Sequence, residues 1–219
     1  MGKYSSLGDV GAVIPASLMS SIDPFVSTVR TLGVMDCPVA TLCGLIRSNP
    51  ATGSGRIHSL VRRRRTAGVR HEFILLRVSI PTMTDMWIRL ERSARTRAGS
   101  PVASLSQSNF PTNDTCKVSE KDSSLLTDDV SFIAAIVEFG TPPSLDNLER
   151  LLRIISEESK IYNVLKENCW FYATIIQDVL AKWCDGILQG TLSHLKFGWE
   201  ARDRIHARRD EVMNLAGGA

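Results

Sequence analysis

Glu167-Asn168-Cys169-Trp170-Phe171-Tyr172-Ala173-Thr174-Ile175-Ile176-Gln177-Asp178-Val179-Leu180 reads as a helix that begins on a cysteine. Asn168 is a good N-cap, because its side-chain oxygen can accept from the free N–H groups of the first turn. Cys169 then takes the first helical position, where backbone N–H groups and the positive end of the helix dipole favour a thiolate. Cys169, Ala173, Ile176 and Leu180 share one face at helical spacing. Trp170, Phe171 and Tyr172 crowd the first turn and could wall a pocket. Cys169 is therefore either a nucleophile or a small buried core residue.

The surrounding composition is that of a folded domain. The chain has 219 residues, 43% of them hydrophobic, enough for a proper core. A net charge of +3 is too mild to imply nucleic acid without a local cluster. The cysteines are Cys37, Cys43, Cys116, Cys169 and Cys184, an odd number with no CxxC pair. Neither a disulfide framework nor a zinc site is expected, and no metal or cofactor is called for. A reducing, intracellular and cytoplasmic setting fits better. Met1-Gly2-Lys3-Tyr4-Ser5-Ser6 lacks the apolar core of a signal peptide but matches the minimal myristoylation pattern. No apolar run is long enough for a transmembrane span.

Upstream of the cysteine helix, residues 10–47 read as amphipathic helix in pieces. Asp23-Pro24 starts one piece, with Asp23 as cap, and Cys37-Pro38 starts another. Residues 48–55 read as a loop. Arg62-Arg63-Arg64-Arg65 reads first as a solvated loop run, with a nuclear localisation signal or a phosphate-binding patch as the sharper alternatives. His71-Glu72-Phe73-Ile74-Leu75-Leu76-Arg77-Val78-Ser79-Ile80 is the clearest strand, ended by Pro81. Residues 86–92 alternate apolar and charged and form its antiparallel partner. Residues 94–124 are polar and suit a long variable loop, either a lid or disordered. Residues 129–139 carry apolar side chains on both parities, which predicts a strand buried on both faces. Ser144 caps a helix over 144–158, the cysteine helix covers 168–184, and residues 187–213 read as a peripheral helical tail. The expected fold is α+β: a small antiparallel sheet packed on helices. It divides into an N-terminal helical segment (1–55), an α+β core (56–185) and a C-terminal tail (186–219).

Cysteine catalysis needs a base, and four histidines are available. His58 lies in a loop region, and His194 and His206 lie in the tail. His71 opens a strong strand, where a rigid scaffold can hold it. His71 thus precedes Cys169, separated by 98 residues (from 71 to 169), whereas papain has its cysteine helix first. A third group would orient the imidazole through its other nitrogen. Glu91 on the partner strand is the choice, with Arg89 on the same face to bind an acidic substrate group. An ordinary cross-strand ion pair is the plainer reading of both charges.

A histidine at the start of a strand hairpin, followed much later by Asn168-Cys169 at a helix start, resembles circularly permuted papain-like proteins. That group includes lecithin:retinol acyltransferase and NlpC-type peptidases. The likeness covers residues 71–180. The acyltransferase motif continues Glu-His-Phe where this chain has Trp170-Phe171-Tyr172, and a Gly-rich turn and second histidine of that family have no counterpart here. A closer resemblance is to a family of fungal, mostly basidiomycete, proteins with no assigned activity. It is carried by His71-Glu72-Phe73, Arg89-Leu90-Glu91-Arg92, Ser156-Glu157-Glu158-Ser159 and Asn168-Cys169-Trp170-Phe171-Tyr172-Ala173.

These readings lead to a cysteine-dependent hydrolase or acyltransferase acting on an acyl, peptide or isopeptide carbonyl. Cys169, His71 and Glu91 are the catalytic candidates, and Trp170, Arg89 and Asn168 the substrate-binding ones. The competing expectation is a non-catalytic protein-interaction module that keeps a papain-like fold. Nucleic acid is disfavoured as a partner, because no aromatic residues interleave with the arginine run to stack bases.

Overall fold

The computed structural model describes residues 23–66, 71–81, 83–94, 110–127, 130–163, 168–190 and 199–213. The myristoylation motif, Arg70, His194 and loop residues 95–109 lie outside them. The described chain runs α1 (Pro24–Leu32), β1 (Val34–Pro38), α2 (Val39–Ser48), α3 (Pro50–Gly53), β2 (Arg56–Arg65), β3 (Glu72–Ile80), β4 (Met83–Ala94) and β5 (Phe110–Ser119). A 3₁₀ turn (Asp122–Leu125) leads to β6 (Ser131–Phe139), α4 (Leu145–Glu158), β7 (Ile161–Tyr162), α5 (Cys169–Trp183), β8 (Gly186–Gly190), α6 (Trp199–Ala207) and α7 (Arg209–Met213).

The strands form one antiparallel sheet in the order β1-β5-β4-β3-β2-β6-β8, with β7 paired to β5. The fold is α+β, and at eight strands its sheet is larger than the sequence suggested. Strand β3 lies at the centre of the order. Its Ile74, Leu76, Val78 and Ile80 belong to the main core, while Phe73 and Leu75 pack with Leu125 in a second cluster. Successive strand residues point to opposite faces, so β3 is apolar on both parities because both faces are covered.

Helix α5 lies against β2, β3, β4, β6 and β8, and α4 packs on α2, α3, α5, α6 and α7. The two helices read differently because they sit differently. Helix α4 keeps Leu148, Leu151, Leu152 and Ile155 inward and Arg153, Ser156 and Glu157 outward. Helix α5 is buried from Phe171 through Leu180 without a break, so it is an internal helix rather than a surface one.

Caps behave as the sequence predicts. Asp23 accepts the Phe25 N–H at 2.9 Å, and Pro24 takes the first position of α1. Ser144 and Asn147 form a reciprocal capping box on α4.

Several expectations are corrected. The run Arg62-Arg63-Arg64-Arg65 is no loop: it ends β2, paired with β3 on one side and β6 on the other, and Arg62 is 1% exposed. The run is strand rather than loop, with Arg63, Arg64 and Arg65 half-buried. The polar loop 94–124 contains β5, whose inward residues Cys116 and Val118 alternate with polar Thr115, Lys117 and Ser119. Strand β6 is buried on one face and not on both: Ala135, Val137 and Phe139 are buried, while Glu138 is exposed and Phe132 and Ile133 are about half exposed. The loop 48–55 holds one helical turn capped by Asn49. Strand β1 interrupts the N-terminal helices, and β8 occupies the start of the expected tail. These two strands are the edges of the sheet, and Phe25, Val29, Ala201, Ile205 and Val212 share the main core. The boundaries at residues 55 and 185 therefore cut through a continuous sheet and core.

Candidate active site

The cysteine helix starts where the sequence places it. Asn168 is the N-cap, its carboxamide oxygen accepts the Phe171 N–H at 3.0 Å, and its carbonyl accepts the Tyr172 N–H at 3.0 Å. Cys169 is the first residue of α5 and is 6% exposed. Because α5 crosses β3, its N-terminus meets the start of that strand. His71, the residue just before β3, and the backbone of Glu72 lie near enough to Cys169 to favour its charged form.

His71 is held from its other side by Glu91 on β4, with Nε2 to Oε2 at 2.9 Å. That leaves Nδ1 as the ring nitrogen available to the sulfur. Glu91 is itself fixed from behind: Arg89 Nη2 donates to the same Oε2 at 3.0 Å. The Arg89 guanidinium also donates to the Leu125 carbonyl at 2.8 Å and stacks 3.9 Å over the Phe73 ring. Thus the residue before β3 supplies the imidazole and β4 the carboxylate that bonds it. The register pairs Phe73 with Glu91, which sets the carboxylate beside the end of β3 where His71 stands.

Charge follows from this arrangement. Burial disfavours a charged imidazole, yet the hydrogen bonds and charges of Cys169 and Glu91 outweigh it and raise His71 to about 9. Burial works against the Glu91 carboxylate too, but His71 and Arg89 hold it down at about 2. For Cys169, burial opposes the thiolate, whereas His71 and the Glu72 N–H favour it, and the net shift is downward. The group can hold a thiolate and an imidazolium side by side with a carboxylate behind them. The other core thiols differ: burial pushes Cys43 up to about 12 and Cys184 up to about 11.

Cys169, His71 and Glu91 are thus brought together. Trp170 is half-buried on the turn beside Cys169, and Asn168 serves as the helix cap. Arg89 is corrected: at 3% exposure, tied to Glu91, Leu125 and Phe73, it is a support for the carboxylate and not a surface for substrate. His58 bonds Ser79 at 2.7 Å and His206 bonds Asp178 at 2.9 Å, both away from the cysteine.

One supporting group escaped the sequence reading. Glu72 is buried and receives Arg64 Nε at 2.6 Å and Arg62 at 3.7 Å, and Arg62 Nη1 reaches Thr174 on α5 at 2.9 Å. This ties the arginine run to the sheet floor under the cysteine helix. An acidic residue next to a candidate base, two strand positions from paired arginines, was the available signal. Two clefts of about 420 and 460 Å³ lie elsewhere, one lined by Cys43, Asp114 and Glu149, the other by Arg56, Ser144 and Trp183. Among the described residues no helix is long and apolar enough to cross a membrane. Comparison with protein-family models, curated proteins and solved structures returns no match.

Proposed function

We propose that the chain is a thiol hydrolase or acyltransferase. The observation that carries this reading is the Glu91 carboxylate 2.9 Å from Nε2 of His71, with Cys169 near enough to the same ring for the two to favour each other's charged forms. Cys169 as thiolate attacks an acyl, peptide or isopeptide carbonyl carbon, and the π electrons move to the carbonyl oxygen. The Cys169 backbone N–H at the helix start is the natural donor to that oxyanion. Collapse of the intermediate forms a thioester as His71 gives its proton to the leaving amine or alcohol. Water or an acceptor nucleophile, deprotonated by His71, then releases the acyl group. Glu91 keeps the imidazole in the right tautomer and orientation, as the third member of such groups does. Trp170 offers an aromatic wall beside the sulfur. The histidine-strand, cysteine-helix order supports a permuted papain-like ancestry, and five free thiols suit a reducing intracellular compartment.

The burial of Cys169 favours a second reading, an interaction module that retains the site as scaffold. Thiol reactivity separates the two. An iodoacetamide probe at neutral pH is expected to label Cys169 ahead of Cys43 and Cys184. His71→Ala is expected to slow that labelling by about a hundredfold. Equal labelling of Cys184, or indifference to His71, would remove the enzymatic reading.

A further inference from the structure

A second pair of cysteines stands apart from the candidate active site. Cys37 on β1 and Cys116 on β5 are direct cross-strand partners, and their sulfurs are 3.4 Å apart. Direct antiparallel partners keep Cα atoms about 4.5 to 5.5 Å apart, within the span a disulfide bridges. The two sulfurs face each other closely enough to come within bonding distance without a change of register.

The chain around Cys37 also prepares it for reaction. It lies two residues before α2, whose N-cap is Pro38, a residue with no side-chain acceptor to offer. The backbone N–H of Leu42, in the first turn of α2, favours the charged form of Cys37. A sulfur at a helix N-terminus, bonded to a backbone N–H, has its thiolate favoured. Hydrogen bonding from Cys116 and the Leu42 N–H outweighs burial and the nearby Asp36, and Cys37 shifts downward. Cys116 shifts upward, chiefly because it shares its proton with Cys37. Cys37 is half-buried and reachable, while Cys116 is buried.

We propose that Cys37 and Cys116 form a reversible redox site, with Cys37 the attacking thiol and Cys116 the resolving one. The co-substrate class is a low-molecular-weight disulfide. The Cys37 thiolate attacks one of its sulfurs, forms a mixed disulfide and expels one thiolate, which takes a proton from solvent. Removing the charge on Cys37 frees Cys116 from the contact that held its proton. Cys116 then loses that proton to solvent and attacks the Cys37 sulfur, expelling the second small thiol. Two protein thiols are oxidised, and one small disulfide is reduced to two thiols. The bridge joins edge strand β1 to β5, whose Cys116 is opposite Leu90, the neighbour of Glu91.

The site is independent of any reaction at Cys169, and its test is independent as well. The folded full chain is incubated with oxidised glutathione, free thiols are blocked under denaturing conditions, and peptides are mapped by mass spectrometry. A peptide linking Cys37 to Cys116 is expected, lost on dithiothreitol treatment and retained in Cys43→Ser. The oxidised wild type is expected to melt several degrees above the reduced form, and Cys37→Ser to show no such rise. Absence of the linked peptide from wild type, or an equal yield of a Cys43–Cys116 link, would overturn the proposal. The wild-type measurement stands even if a variant fails to fold.

Discussion

His71 carries the site's pH dependence at the scale of single residues. In the proposed reaction the dyad is a thiolate with an imidazolium, so it exists between the lowered Cys169 range and His71 at about 9. Acyl transfer should fall on the alkaline side as pH rises through about 9, where the imidazolium loses its proton. Glu91→Gln keeps the size of the side chain but removes the charge that favours His71⁺. Its alkaline limb should move down towards the ordinary histidine range, near 6.5. Stopped-flow alkylation and acyl transfer against pH would read this, and an unmoved limb would count against Glu91 as the orienting group. Stability follows the opposite sign for the carboxylate. Glu91 sits at about 2 rather than its usual 4.5, so its contribution is full above 4.5 and is lost as pH falls through about 2. Cys169, His71 and Glu91 were legible because each holds a diagnostic position: helix start, strand start and facing strand. Arg89 was misassigned because alternation gives its face but not its depth. Its guanidinium is sheltered by Phe73 and Leu125, a contact that only the folded sheet creates.

Elements with local signals were readable, and those defined by distant partners were not. Asp23-Pro24, Ser144 with Asn147, and Asn168 all cap as expected, because a cap is a contact within three residues. Strand β5 was hidden because it carries alternating polar residues on a half-covered face, which resembles a loop in composition. Strand β1 is only five residues long and exists through pairing with β5, whose partner residues lie about 80 positions away. The arginines of β2 were read as solvated because burial of a guanidinium depends on Glu72, Thr174 and Ser131, none of them adjacent in sequence. At this scale Asn168→Ala tests the cysteine helix directly. It removes the acceptor for the Phe171 N–H and should cost about 1 kcal/mol of stability. Urea denaturation would measure it, with Ser144→Ala on α4 as a cap of the same kind far from the sulfur. If thiol reactivity falls for Asn168→Ala and holds for Ser144→Ala, helix-start geometry matters to the chemistry beyond its effect on stability.

Across the whole molecule, helix α6 is tied to the cysteine helix through one carboxylate, while α7 bonds Asn147 and Arg150 of α4 through the Val212 carbonyl. Asp178 on α5 receives Arg202 Nη2 at 2.9 Å, His206 Nε2 at 2.9 Å and Lys182 Nζ at 3.0 Å. Burial opposes its charge, but these partners hold it well below the usual carboxylate range. Its contribution is therefore full above the ordinary aspartate range and fades only in strong acid. Asp178→Asn should cost about 2 kcal/mol and open helix α6 to limited proteolysis at neutral pH. An unchanged cleavage pattern would show that apolar packing by Ala201, Ile205 and Val212 suffices to dock α6 and α7. The placement of β3, β4 and α5 has one more consequence, for biosynthesis. His71 and Glu91 leave the ribosome long before Cys169, which at about 5 to 20 residues per second is a delay of roughly 5 to 20 seconds. During that interval the hairpin holds a base with no nucleophile to serve. On the proposed reading, a nascent chain has no nucleophile at this site until its cysteine helix emerges and docks.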